Sequence, residues 1–229
     1  LRVIGQILSK YPVRSLCEDE IFYRLRRDPQ NPSDFAEYDS PPNEFLGKGR
    51  FDSPSLPVMY ASQDLEICVH ECRVTVDDEL FFASLTPTRE LAFLNLTEIT
   101  EPHVNEFESL DMAIHMLFNA GSHSYEITRT IAHSASEMGL DGILYPSYFS
   151  SIQKGSTPFE TAYGIPIRKF PFAESYVKDS IAPNIALFGR PIRDGLVSVK
   201  CLNRLVLQQV RYNIQFGPVH KNTKNEVNK

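Results

Sequence analysis

Arg50 is the first of three residues whose types and spacing could do chemistry. It follows Gly47 and Gly49 in the segment GKGRF, where the backbone is permissive and a ligand can approach closely. A guanidinium in such a loop is suited to bidentate binding of a phosphate or a carboxylate. Taken alone, this feature favours a solvated surface arginine over a binding residue.

Tyr60 is the second of these residues and lies in the segment PVMYA, residues 57–61. In a short strand of this kind, a tyrosine is commonly a core or half-buried aromatic. The functional alternative is a flat ring on which a heterocycle stacks, with a hydroxyl group available for a hydrogen bond.

Glu71 is the third residue, near the end of a helix predicted from an N-cap at Ser62 to about Arg73. With residues placed about 100° apart, one helix face is apolar and another is polar. The apolar face holds Leu65, Cys68, Val69 and Cys72, and the polar face holds Glu66, His70 and Arg73. Glu71 lies on the remaining flank, beside Ile67 and Val74. We expect it to face a partly apolar cleft, where a nearby cation would favour its ionised form; a solvated helix glutamate is the alternative.

Other common catalytic and phosphate-binding patterns are missing from the sequence. Cys68 and Cys72 share a helix face, but His70 points elsewhere and no second ligand pair follows, so we expect no metal site. The histidines form no recognisable triad, and the GxSxG, GxGxxG and P-loop patterns do not occur.

The spacing of these three residues, together with a later serine, resembles the RES domain family, which is named after an Arg, a Glu and a Ser. The resemblance extends over roughly residues 20–200. It is carried by GRF at 49–51, VMYAS at 58–62, HECR around Glu71 and DGILYPS at 141–147. Phe51 stands where Trp is commoner in the family. Ser147 lies where the strand of DGILYPS runs into a turn and is preferred as the family serine; the alternatives are Ser150, Ser151 and Ser156.

The resemblance implies an ADP-ribosyltransferase-like fold and degradation of NAD⁺ by glycohydrolysis or phosphorolysis. Some members are linked to ADP-ribosylation of a protein, which is the alternative activity. Members are often toxins paired with an Xre-type antitoxin, so such a protein is the expected partner. NAD⁺ is the substrate, and the resemblance implies neither a cofactor nor a metal. A catalytically silent NAD⁺-binding or interaction module is the alternative from another class.

The resemblance also implies a role for each motif residue. Arg50 would bind the NAD⁺ phosphates, and Tyr60 would pack on the nicotinamide riboside. Glu71 would stabilise the cation that forms on the ribose, and Ser147 would hydrogen-bond the nicotinamide side or position Glu71. Two further residues are expected to contact NAD⁺, namely Arg24 as a second phosphate ligand and Phe51 beside Arg50.

The elements that must position these residues follow one another in a mixed order. We predict strands at 20–27, 57–61, 80–88, 91–97, 141–147, 185–192, 196–202 and 204–216, and further helices at 104–119 and 124–138, the second ended by Gly139. Residues 28–49 are predicted to form a long, ordered or lid-like loop. The order favours a strand-rich α+β domain with helices packed on the sheets over a doubly wound fold.

The composition is that of an ordinary folded domain, with 42% hydrophobic and 23% charged residues. A net charge of −6 argues against nucleic-acid binding, and no apolar run approaches the ~20 residues of a membrane span. The four cysteines indicate free thiols in a reducing cytoplasm. We interpret residues 1–19 as an N-terminal extension, 20–216 as the catalytic domain and 217–229 as a polar tail. Formation of a homo-oligomer stays open.

Overall fold

The computed structural model describes residues 2–98, 110–119, 122–147, 161–162, 165–166 and 183–210. The described helices are α1 (Arg2–Lys10), α2 (Leu65–Glu71), α3 (Leu110–Asn119) and α4 (Tyr125–Glu137). The described strands are β1 (Val13–Leu16), β2 (Phe22–Arg27), β3 (Val58–Ser62), β4 (Leu80–Pro87), β5 (Leu91–Asn95), β6 (Gly142–Pro146), β7 (Thr161–Ala162), β8 (Ile165–Pro166), β9 (Pro183–Phe188) and β10 (Val197–Leu205). The predicted α+β class is confirmed. Among the described helices, none has the length and apolar character needed to cross a membrane.

Eight strands form one mixed sheet in the order β1-β5-β6-β9-β3-β2-β4-β10, and β7 pairs with β8 separately. β9 lies between β6 and β3 and is antiparallel to both. The carboxyl ends of β3 and β6 therefore meet the amino end of β9 at one edge of the sheet. Across this edge Ser62, Asn184 and Tyr145 are paired in one row, which places their side chains on the same face.

The sheet buries both of its faces. On one face, Val58, Ile143 and Ala186 of the sheet pack against apolar side chains of the helices. These helix side chains include Ile7, Phe118 and Ile131. On the other face, Met59, Leu144 and Leu187 pack with Phe22 and Tyr38. The central strands are thus apolar on both sides, and this is why β9 reads as a nearly continuous apolar run.

Helix α2 begins two residues later than the sequence predicted. Ser62 is still part of β3, and Asp64 is the N-cap, with Oδ1 accepting the N–H groups of Glu66 and Ile67. The hydroxyl of Ser62 instead accepts the N–H of Asp64. The helix ends at Glu71, shortly before Arg73 adopts a left-handed backbone with φ of 48°.

The amino-terminal segment, interpreted as an extension, contributes to the same sheet and core. β1 pairs with β5 from Val13↔Leu94 to Leu16↔Leu91. In α1, Ile7 is buried in the core that α4 also lines. The structure therefore places this segment at one edge of the same sheet and against the same core.

The carboxyl-terminal strands differ from the prediction. β10 runs without a break from Val197 to Leu205, where the sequence predicted two strands, and residues 206–210 have no regular structure. The remaining predicted strand residues, 211–216, and the polar tail lie outside the described residues, as do 104–109 of the predicted helix. The predicted left-handed cap of α4 is confirmed, because Gly139 has φ of 81°.

Candidate active site

The carboxylate of Glu71 is held by two neutral donors. The Ser147 hydroxyl and the Asn184 side-chain amide each donate to Oε1 over 2.7 Å. Both donors are buried, whereas Glu71 is exposed. Within the described part of the chain, the other oxygen, Oε2, accepts no hydrogen bond. One oxygen is thus fixed, and the other has no partner among the described residues.

The fold brings these three residues together from distant parts of the sequence. Glu71 is the last residue of α2, which starts just after β3, while Ser147 follows β6 and Asn184 is the second residue of β9. Because these ends of β3, β6 and β9 meet at one sheet edge, Glu71 is placed above it.

Tyr145 lies on β6, two residues before Ser147, and is half-buried beside the carboxylate. Burial raises the pKa of the Tyr145 hydroxyl well above its usual value, and the charge of Glu71 raises the pKa further. Arg50 acts in the opposite direction on the same pKa. The Tyr145 ring stacks on Phe118 with centroids 5.5 Å apart. A neutral aromatic ring therefore lies within the electrostatic reach of both Glu71 and Arg50.

Tyr60 anchors the loop that carries Arg50. Its hydroxyl donates to Oδ1 of the buried Asp52 over 2.9 Å and accepts the backbone N–H groups of Phe51 and Asp52. Burial raises the pKa of Tyr60, with Asp52 as the second cause, so the hydroxyl keeps the proton that it donates. The three bonds connect β3 to the backbone next to Arg50.

The guanidinium of Arg50 is directed at the carboxyl end of α3. Nη1 and Nη2 donate to the backbone oxygens of Leu117 and Phe118, each over 3.0 Å. These oxygens belong to the helix end that carries partial negative charge. The guanidinium also lies over the Phe118 and Tyr125 rings, 5.4 and 5.2 Å from their centroids. Among the described residues Arg50 forms no ion pair with Glu71, and three of its five N–H donors stay uncommitted.

Arg24 and Phe51 were also predicted to contact NAD⁺, but both side chains are buried. Arg24 is 6% exposed and donates to the backbone oxygens of Tyr60 and Asp39. Burial lowers the pKa of Arg24 to about 9. Phe51 is fully buried, with its ring edge-on to Tyr145 at 5.0 Å. In this structure both residues support the site, and their contact with NAD⁺ stays a prediction.

Family comparison connects this geometry to known proteins. The family model of the RES domain matches residues 21–156, more than half of the chain. The chain belongs to the RES domain family. A solved structure with a similar fold is a chain of the M. tuberculosis MbcT–MbcA toxin–antitoxin complex, with 13% sequence identity and a TM-score of 0.50. That alignment covers 89% of this chain and 92% of the other. Comparison of this chain with curated proteins found no match.

The RES match includes Arg50, Tyr60, Glu71 and Ser147 but ends before Asn184. Of the four serines considered for the family position, Ser147 is the one seen bonded to Glu71. The other three, Ser150, Ser151 and Ser156, lie outside the described residues.

Sequence reasoning missed two residues of the candidate site. Tyr145 could have been found, since it lies two positions before Ser147 and strand side chains alternate between faces. Asn184 carried a weaker signal, a polar residue directly before the apolar run IALF.

No group of three metal-binding side chains occurs in the ranges that the structure describes, and Cys68 instead donates to the Tyr23 backbone oxygen.

Tyr60→Phe tests whether Tyr60 anchors the Arg50 loop. Removing the hydroxyl leaves Oδ1 of Asp52 and two N–H groups without this partner, so the unfolding free energy should fall by about 1–3 kcal/mol. Urea unfolding measures this change. Tyr23→Phe is the matched control because Tyr23 packs edge-on against Phe82. An equal loss in both variants would contradict an anchoring role for the Tyr60 hydroxyl.

Proposed function

We propose that this RES domain degrades NAD⁺ by cleaving the bond between nicotinamide and ribose. The observation that carries the proposal is the Glu71 carboxylate, in which Ser147 and Asn184 fix one oxygen and no described residue binds the other. A fixed carboxylate beside a partly apolar wall suits a reaction in which positive charge develops on a sugar.

The chemistry needs no more than one such carboxylate. Breaking the nicotinamide–ribose bond passes through an oxocarbenium-like state, as glycoside hydrolysis does. Nicotinamide leaves as a neutral molecule, so no strong general acid is required. Glu71 would stabilise the cation through Oε2 and could also orient the attacking molecule.

The other RES residues supply binding. The uncommitted N–H donors of Arg50 suit a phosphate of the NAD⁺ pyrophosphate. The Tyr145 ring lies within the electrostatic reach of Glu71 and also of Tyr60. Both rings are partly exposed and offer aromatic surface for the nicotinamide riboside. Because Tyr60 also holds the Arg50 loop, the phosphate and ribose contacts would be fixed relative to each other.

The acceptor decides the product. Water would give ADP-ribose and nicotinamide with release of a proton, and inorganic phosphate would give ADP-ribose 1″-phosphate and nicotinamide. A protein side chain as the acceptor would make the chain a mono-ADP-ribosyltransferase that uses the same site. All three reactions release nicotinamide, so nicotinamide reports the shared step.

Incubation of the purified chain with NAD⁺ tests the proposal. We expect nicotinamide release without any added protein, and a change of product from ADP-ribose to its 1″-phosphate if phosphate is the acceptor. Nicotinamide that appears only when a protein acceptor is added would identify the transferase. If NAD⁺ at 100 times its Kd raises stability by ~2.7 kcal/mol and no nicotinamide forms, the chain is a silent binding module.

We further propose that the chain is the toxin of a toxin–antitoxin pair with an Xre-type partner. RES membership supports this role, and the similar M. tuberculosis fold was solved in a toxin–antitoxin complex. The net charge of −6 would complement a basic partner surface. Expression in a bacterial host should arrest growth and deplete NAD⁺, and co-expression of an Xre-type helix-turn-helix antitoxin encoded beside this chain should prevent both effects. Normal growth with a full NAD⁺ pool would refute the toxin role.

A further inference from the structure

Asn184 holds the Glu71 carboxylate but lies beyond the part of the chain that the RES family match reaches. The match ends at residue 156, whereas Asn184 is the second residue of β9. Its side-chain amide donates to Oε1 of Glu71 over 2.7 Å. At 2% exposure, Asn184 has almost no surface to offer a substrate. Any effect on the reaction must therefore pass through Glu71.

We propose that Asn184 is a positioning residue, which together with Ser147 fixes one oxygen of Glu71 and leaves the other as the charged oxygen that faces the ribose. This inference rests on the proposed cleavage of NAD⁺. It assigns to β9 a part in a site whose predicted residues all lie on other elements.

The type of donor matters to the chemistry. Ser147 and Asn184 both donate to Oε1, so this oxygen acts only as an acceptor. Amide and hydroxyl donors stabilise the anion without cancelling its charge, as a guanidinium would. Because Arg50 is directed at α3, the negative charge of Glu71 stays available to a developing cation.

The sheet gives Asn184 a fixed position. Its backbone pairs with Ser62 on one side and with Tyr145 on the other. A residue between two paired strands has little freedom, so its amide can orient a flexible, exposed glutamate. Among the described titratable or charged groups, Tyr145 on β6 and Cys72 interact electrostatically with Glu71, and His70 directly precedes Glu71 in the chain. Tyr60 on β3 and Arg50 on the loop act on the same Tyr145.

Asn184→Ala should lower the kcat of nicotinamide release about 10- to 100-fold, the effect of losing a hydrogen bond to a charged group. The KM for NAD⁺ should change less than about threefold, because Asn184 does not contact the substrate. Asn95→Ala is the matched control. Asn95 is also a buried asparagine at a strand end, but its Oδ1 accepts from Thr97. That variant should lose stability and keep its kcat.

Asn184→Asp separates positioning from packing through its pH profile. At low pH the introduced carboxyl and Glu71 share a proton, so a donor to Oε1 is retained and the variant should be active. At higher pH both carboxyls are ionised and repel each other. The kcat of this variant, divided by the wild-type kcat at the same pH, should therefore fall as the pH rises.

The inference is overturned if Asn184→Ala keeps the wild-type kcat, if Asn95→Ala loses as much, or if the Asn184→Asp profile parallels that of the wild type.

Failure of the proposed function gives a different result, in which the wild type itself releases no nicotinamide. In that case, melting temperatures test the contact between Asn184 and Glu71 without any measurement of turnover. Asn184→Asp should lose stability as the pH rises, because its pair holds a proton in the folded state, and adding Glu71→Gln should reduce that loss. Equal losses with and without Glu71→Gln would refute the contact.

Discussion

Replacing Glu71 with Gln should lower the kcat for nicotinamide release about 10²–10⁴-fold. Glutamine keeps the size and the hydrogen-bonding oxygen of glutamate, so Ser147 and Asn184 retain an acceptor. The change removes the negative charge, which in the proposed reaction stabilises the cation on the ribose. The defect should therefore lie in kcat, with the KM for NAD⁺ little changed.

Stability measurements show whether the loss is chemical. The side chain is exposed, and the melting temperature should fall by no more than about 4 °C, as for a change of about 1 kcal/mol in a domain of this size. Glu66→Gln is the matched control, because Glu66 lies on the polar face of the same helix and should keep its kcat. A folded Glu71→Gln variant with normal turnover would remove Glu71 from the mechanism.

Local patterns predicted most of the central fold. The apolar segments around β3, β4 and β6 and the helix α4 are strongly periodic, and each lies within a few residues of its predicted position. β1 and α1 were harder to predict. They are short, and their place in the fold depends on pairing with β5 and on packing of Ile7 against distant residues. Such contacts leave no local pattern in the sequence.

In the candidate site, too, some residues were predicted from the sequence, whereas other contacts depend on the fold. Arg50, Tyr60, Glu71 and Ser147 were named from residue type, spacing and family resemblance, and the structure brings the last two into contact. The contact of Asn184 with Glu71 depends on β9 inserting between β6 and β3, a strand order that sequence periodicity does not encode. The anchoring role of the Tyr60 hydroxyl depends likewise on the folded path of the loop.

Gly49 illustrates how the fold changed an interpretation. The sequence suggested that the glycines before Arg50 allow a ligand to come close. In the structure, the group that comes close to Gly49 belongs to the protein. A Cβ atom there would lie 2.0 Å from Oδ1 of Asp52 and 2.6 Å from the hydroxyl oxygen of Tyr60. Neither atom can move away freely, since the two are hydrogen-bonded to each other and Asp52 is buried.

Gly49→Ala should therefore lower the unfolding free energy by about 3–5 kcal/mol, the combined cost of overpacking and a broken buried hydrogen bond. The loop would have to shift, and Arg50 with it, so the KM for NAD⁺ should rise as well. Urea unfolding and steady-state kinetics measure the two effects. Gly5→Ala is the control, because Gly5 lies in α1 with open space around it, and that variant should gain about 0.5–1 kcal/mol. If Gly49→Ala were as stable and active as the wild type, the loop would be free to move, and Tyr60 could not be what holds Arg50 in place.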